Sequence, residues 1–169
     1  DLDNAIVSVA LVLLYTWWHT KSLALAVMSL AMITLSFPVS FFFYFTYYAT
    51  DESNKLGLLN IMGVYVTLGI GVDDVYVFLA AFDQCADSVS LEVQLGRAYR
   101  RAGKAMLTTS ATTALAFSAN MVSSIPVILS FSAYMATLVL INYVFIITIF
   151  PAMLMAVSYT HLRAHETPE

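Results

Sequence analysis

The sequence predicts an all-α membrane protein with five transmembrane helices, the third and fourth joined by a cytoplasmic amphipathic helix. Three observations carry that prediction. Of its 169 residues, 60% are hydrophobic and only 11% are charged, against about 25% charged in soluble domains. The apolar residues fall into five runs, most of them near the roughly 20 residues that a helix needs to cross the hydrocarbon of a bilayer. The basic residues gather in the connections on one side. Nucleic-acid binding is not expected, because seven Lys and Arg, mostly in one cluster, make no groove-sized patch. Cys85 is the sole cysteine, which leaves no disulfide within the chain. The opening "DLDNAIV" has neither an initiator methionine nor the basic start of a signal peptide, so the chain is expected to be a fragment of something longer.

The first span runs from about Asn4 to Trp18 and is short. The second covers about Leu23 to Tyr48 and contains Pro38, which membrane helices tolerate when neighbours satisfy the freed carbonyl. The third covers about Leu56 to Ala81. In Gln84–Lys104, Leu91, Leu95, Ala98, Tyr99 and Ala102 recur at helical spacing, with basic residues in the second half and Ser88 or Ser90 placed to cap the start. This is the pattern of an amphipathic helix on the cytoplasmic leaflet. The fourth span covers about Ala105 to Ile125. The fifth covers about Val127 to Ala156, with Pro151 near its end. Lys21, Arg97, Arg100, Arg101, Lys104 and Arg163 fall on one side of these spans and Lys55 alone on the other. Basic residues stay cytoplasmic, so the N-terminus is expected outside or in the lumen. Trp17, Trp18, Tyr44, Tyr47 and Tyr48 sit at span ends, where interfacial aromatics are expected, and His19 is expected to be interfacial too.

The third span contains "LGIGVDDVYVFLAAF", in which Asp73 and Asp74 lie side by side a little past the middle. A charge at the bilayer centre costs about 2.5–3.5 kcal/mol on insertion scales, and Asp is too short to reach the interface. The pair must face a protein interior, a water-filled cavity or a bound cation. The two side chains point about 100° apart on a helix of 3.6 residues per turn, which suits two different roles. Gly69 lies four residues before Asp73, on the same face, and Gly71 adds a second gap for close helix approach. Neighbouring carboxylates titrate as a coupled pair. That suits a proton carrier; with both ionised, it suits a Na⁺ site. The competing reading is a hydrogen-bonded clamp between helices. In the fourth span, Thr109, Thr112, Thr113 and Asn120 are possible polar support, Thr109, Thr113 and Asn120 sharing one face by spacing. Ser and Thr are also ordinary packing residues in membrane helices. Asn142, alone in the fifth span, is expected to make an interhelical hydrogen bond.

Against these residues, "GIGVDDVYVF" resembles the motif of the resistance–nodulation–division superfamily, above all its branch of Patched, Dispatched and the Niemann–Pick cholesterol transporter. "WWHTKSLALAVMSL", "LSFPVSFFFY" and "LTTSATTALAFSANMVSSIPVILSFSAYMATLVLINYVFIITIFPAML" resemble further membrane helices of that branch, closest to Dispatched, and in the same order. The resemblance covers about Ala5 to Met155 and implies a sterol-sensing domain, one half of a twelve-helix transporter, over residues 1–157. It implies that Asp73 and Asp74, with Gly69 and Gly71, couple H⁺ or Na⁺ flow to export of a sterol, lipid or lipid-modified protein. It also implies that the partner acids, the second half and the large extracellular domains lie outside this chain. The plasma membrane or an endomembrane is the expected location, and the bilayer, a lipidic cargo and the other half of the transporter are the expected partners.

The remaining stretch, 158–169, changes character to "SYTHLRAHETPE". His161 and His165 are spaced as metal ligands with Glu166 beside them, but no metal site is expected, because the stretch resembles a translated sequencing adapter and is expected to be non-native. The residues contain no nucleophile elbow, no paired catalytic His and Asp and no phosphate loop, so no enzyme is expected. Two alternatives to transport stay open: a regulatory sterol-sensing membrane domain, and a membrane scaffold.

Overall fold

The computed structural model describes residues 2–20, 22–48, 58–86 and 90–165. They form five helices and, among the described residues, no strand: α1 (Leu2–Thr20), α2 (Leu23–Tyr47), α3 (Leu58–Asp83), α4 (Leu91–Asn120) and α5 (Pro126–His165). Lys21, Lys55, Ser88 and Glu166 lie outside the described residues, as do the side chains of His19, His161 and His165. Three helices are long and apolar enough to cross a membrane by length and composition: Leu23–Tyr47, Met62–Asp83 and Pro126–Thr160; Val7–Trp18 is a shorter apolar helix.

The expected amphipathic helix and the fourth span are one continuous helix. Ser90 caps α4, its Oγ accepting from the Val93 N–H at 3.4 Å, and Glu92 in the first turn complements the helix dipole. Nothing between Lys104 and Ala105 breaks the helix. Gly103 fits into it against Ile147 of α5, where a methyl group would come within 3.0 Å. The stripe that begins at Ala98 and Ala102 runs on through Met106, Ser110 and Ala114, all buried. At 1.5 Å per residue a helix of 30 residues is about 45 Å long, so the charged half extends beyond a 30 Å hydrocarbon core. Gln94 ties it back to α3, its Nε2 donating to the Phe82 carbonyl at 2.9 Å.

Short connections make sequential helices antiparallel, which sets α3 parallel to α5. Contacts along this pair confirm the direction: Gly63 meets Tyr134 and Met135, Gly71 meets Asn142, and Phe78 stacks edge-on against Phe150 at 5.5 Å. Helix α5 packs against α2, α3 and α4, while α1 lies outside against α2 and α3. The Thr16 hydroxyl of α1 donates to the Val12 carbonyl at 2.7 Å, so the Tyr76 hydroxyl of α3 is left to donate to Thr16 Oγ1 at 3.1 Å.

The surface is as apolar as the interior. Trp18, Phe42, Leu115 and Val122 are exposed, as side chains facing acyl chains must be. Small and polar residues therefore share the buried face with large apolar ones. On α2 the buried residues are Leu25, Ala26, Ser29, Leu30, Met32, Ile33, Ser36, Ser40 and Tyr44. Tyr44 departs from the expected interfacial belt: it continues this buried face and is fully buried, with its ring edge-on to Tyr134 at 5.9 Å. Tyr47, Tyr48, Trp17 and Trp18 are exposed.

Candidate functional site

A cavity of about 400 Å³ lies between α3 and α4, and Asp73 and Asp74 open onto it. Ile70, Tyr76 and Val77 complete the α3 wall; Thr109, Ser110 and Thr113 form the α4 wall. Asp73 is ten residues from the end of α3, about 15 Å along the axis, so the pair lies at membrane depth rather than at an interface.

The helical rotation between adjacent residues puts the acids in different surroundings. Asp73 is exposed, whereas Asp74 is only 5% exposed and is the single buried charged side chain among the described residues. The Ser110 hydroxyl is near enough to interact with the Asp74 carboxyl, yet neither Asp74 Oδ2 nor Ser110 Oγ has a hydrogen-bond partner of good geometry. An acceptor and a hydroxyl so placed can close on a cation or a water with little movement.

The two glycines also differ. At Gly71 a methyl group would sit 2.9 Å from Ile33 Cγ1 and 3.1 Å from Asn142 Oδ1, so this glycine is where α2, α3 and α5 meet most closely. At Gly69 a methyl group would meet nothing within 4 Å. Gly69 and Asp73 thus share a face of α3 that the other four helices leave open.

Thr109 and Thr113 face the cavity, as their spacing of four requires. Thr109 already donates to the Met106 carbonyl at 3.0 Å, so its oxygen lone pairs are what it offers. Thr112 is exposed, off the cavity, and donates to the Thr108 and Thr109 carbonyls at 2.9 Å. Asn120 shares the direction of Thr113 but lies about two turns further on, exposed at the helix end. Ser110 and Tyr76 were not among the expected residues. Ser110 was legible in principle, as one step of the buried stripe at every fourth position of α4.

Asn142 departs from expectation more sharply. It is 1% exposed and touches the Gly71 gap, but neither Oδ1 nor Nδ2 makes the interhelical hydrogen bond its isolation predicted. Across the seam it meets Gly71, which has no side chain to bond.

Apolar helices around a buried acid define a multi-pass membrane domain. The Patched sterol-sensing-domain family model ("Patched SSD") matches residues 4–157, and the chain belongs to that family. The chain is 35% identical to protein dispatched homolog 3 of Gallus gallus over 133 residues, covering 79% of this chain and 10% of the relative. It is 33% identical to protein dispatched homolog 1 of Mus musculus over 157 residues, 88% of this chain and 10% of the relative. With protein dispatched of Drosophila melanogaster it shares 31% over 161 residues, 80% of this chain and 13% of the relative. The chain therefore spans about a tenth of the length of the curated relatives it matches.

Proposed function

We propose that this sterol-sensing membrane domain is the cation-coupling half of an exporter of sterol, lipid or lipid-modified protein, with H⁺ or Na⁺ carried at Asp73 and Asp74. The observation that supports this best is the acid pair opening, at membrane depth, onto a cavity whose facing wall is hydroxyl-lined. Asp74, buried beside Ser110, binds and releases the cation. Asp73, on the open face with Gly69, meets the second half of the transporter, which supplies the partner charge and seals the site from lipid. In this reading the N-terminus is outside or luminal, the charged half of α4 is cytoplasmic, and residues 158–169 are no part of the functional domain.

The test is charge removal in the full-length polypeptide. Asn keeps the shape of Asp and relieves a desolvation cost of a few kcal/mol, so Asp73→Asn and Asp74→Asn are expected to express and insert normally. Neither amide can release a proton or balance a cation, so export is expected to fall at least tenfold and to lose its response to collapse of the ion gradient. Export by both variants at the wild-type rate makes the acids a structural clamp. The domain is then a regulatory sterol sensor, a reading supported by the family to which the chain belongs.

A further inference from the structure

We propose that Asp74, Asn142, Thr67 and Tyr134 form a buried polar file along the α3–α5 seam, through which the coupling cation passes between the acid pair and the N-terminal ends of these two helices. The inference rests on the coupling role of Asp74 proposed above and adds three residues and a direction.

Six buried side-chain atoms lack a hydrogen-bond partner among the described residues: Thr67 Oγ1, Asp74 Oδ2, Ser110 Oγ, Tyr134 OH and both polar atoms of Asn142. Buried polar groups are nearly always satisfied, and the rest of this domain follows that rule. The buried serines of α2 each donate to their own helix, Ser29 to Leu25 at 2.7 Å, Ser36 to Ile33 at 2.6 Å and Ser40 to Ser36 at 2.7 Å. Those serines are small packing residues. The orphaned atoms are not scattered in the same way: all six lie on α3, on α5, or on α4 at Asp74.

The parallel register of α3 and α5 arranges them in order. Tyr134 lies against Gly63, its Cε1 3.5 Å from where a methyl group there would sit. Thr67, fully buried, is one turn further along α3. Asn142 faces Gly71 one turn beyond that, and Asp74 follows within another turn. From Gly63 to Asp74 is about 16 Å of helix axis, with a polar group at about every turn. Leu, Val and Phe would fill these places without any unsatisfied group. Asn142, Thr67 and Tyr134 are neutral and can both donate and accept. They therefore suit taking the place of the water around a Na⁺ or a proton, since conduction needs sites that solvate an ion without trapping it. Glycine at 71 keeps the Asn142 amide in contact with this row.

The full-length polypeptide, reconstituted in proteoliposomes, tests the file. ²²Na⁺ uptake is followed under an imposed Na⁺ gradient, and a pH-sensitive dye under an imposed proton gradient; the arm that shows flux identifies the ion. Asn142→Leu and Thr67→Val are expected to cut that flux at least tenfold and threefold respectively, with melting temperatures unchanged or raised, because each removes orphaned atoms at similar volume. Wild-type flux, within twofold, in both variants while Asp74→Asn abolishes it overturns the file and leaves the acid pair standing. Wild-type flux in Asp74→Asn overturns both. Lost flux with lowered melting temperature in both variants makes the residues packing elements and also overturns the file. If Asn142→Leu does not accumulate, the near-isosteric Thr67→Val decides by the same thresholds.

Discussion

Gly69 and Gly71 stand two residues apart on α3 and meet opposite surroundings. Gly71 is wedged against Ile33 and Asn142, and Gly69 faces open space. Their substitutions should therefore separate. Gly71→Ala puts a methyl group into contacts of 2.9–3.1 Å, and overpacking of this kind costs about 1–3 kcal/mol. Its melting temperature in detergent is expected to fall, with Ile33→Val partly restoring it. Gly69→Leu is expected to leave the melting temperature within error, since nothing in this domain stands in its way. In the full-length protein, Gly69→Leu is expected to abolish export if the second half packs on this face. Unchanged export would leave the open face to lipid, where an exposed Asp73 has no physical excuse. The acids make the same point: neighbours in sequence, they are separated by a single helical step into one exposed and one buried carboxyl.

At the scale of elements, α4 changes the picture most. As one helix of 30 residues it connects the charged segment rigidly to the cavity wall. Any tilt of the basic half is carried to Thr109, Ser110 and Thr113 through the stripe that packs with Ile146 and Phe150 of α5. Orientation is open to direct measurement here. Cys85 sits part-buried in the turn that follows α3, on the side where the basic residues gather. In sealed, right-side-out vesicles it is expected to resist an impermeant thiol reagent added outside and to react after permeabilisation. Labelling from outside alone would invert the domain. The helical pattern of Leu91, Leu95, Ala98 and Ala102 was legible in the sequence because the segment borders water, where amphipathic spacing is informative. Its continuity with the span was not, because a change from charged to apolar composition looks like a boundary even where the backbone runs straight through.

For the whole molecule, five helices leave one flank of α3 uncovered, and the matched residues make up about a tenth of the length of the curated relatives. The site is thus proposed to be one half of a larger one. The last stretch belongs to the same scale. Helix α5 continues to His165, which any sequence without a breaker would do after Val157, so helicity does not separate native from appended residues. The family match ends at residue 157. Genomic sequence across that point is expected to diverge from "YTHLRAHETPE"; an in-frame genomic copy would make the stretch native.

What the sequence determined by itself was the membrane class, the places of five helices, three of them long and apolar enough to span, the acid pair and, by resemblance, the family. Length, hydropathy and adjacency along the chain are one-dimensional properties and need no fold to be read. Which polar residues face inward was decided only by the tertiary structure. In a membrane helix the outer face is as apolar as the inner one, so no hydrophobic period marks the buried side. Ser40 and Ser110 look alike in the sequence. One hydroxyl is satisfied by its own helix at 2.7 Å, and the other is buried without a partner beside Asp74. Asn142 shows the same limit: its isolation predicted a hydrogen bond, and the partner it meets across the seam is a glycine. Local chemistry sets what a side chain can bond to, and only helix packing decides what is within its reach.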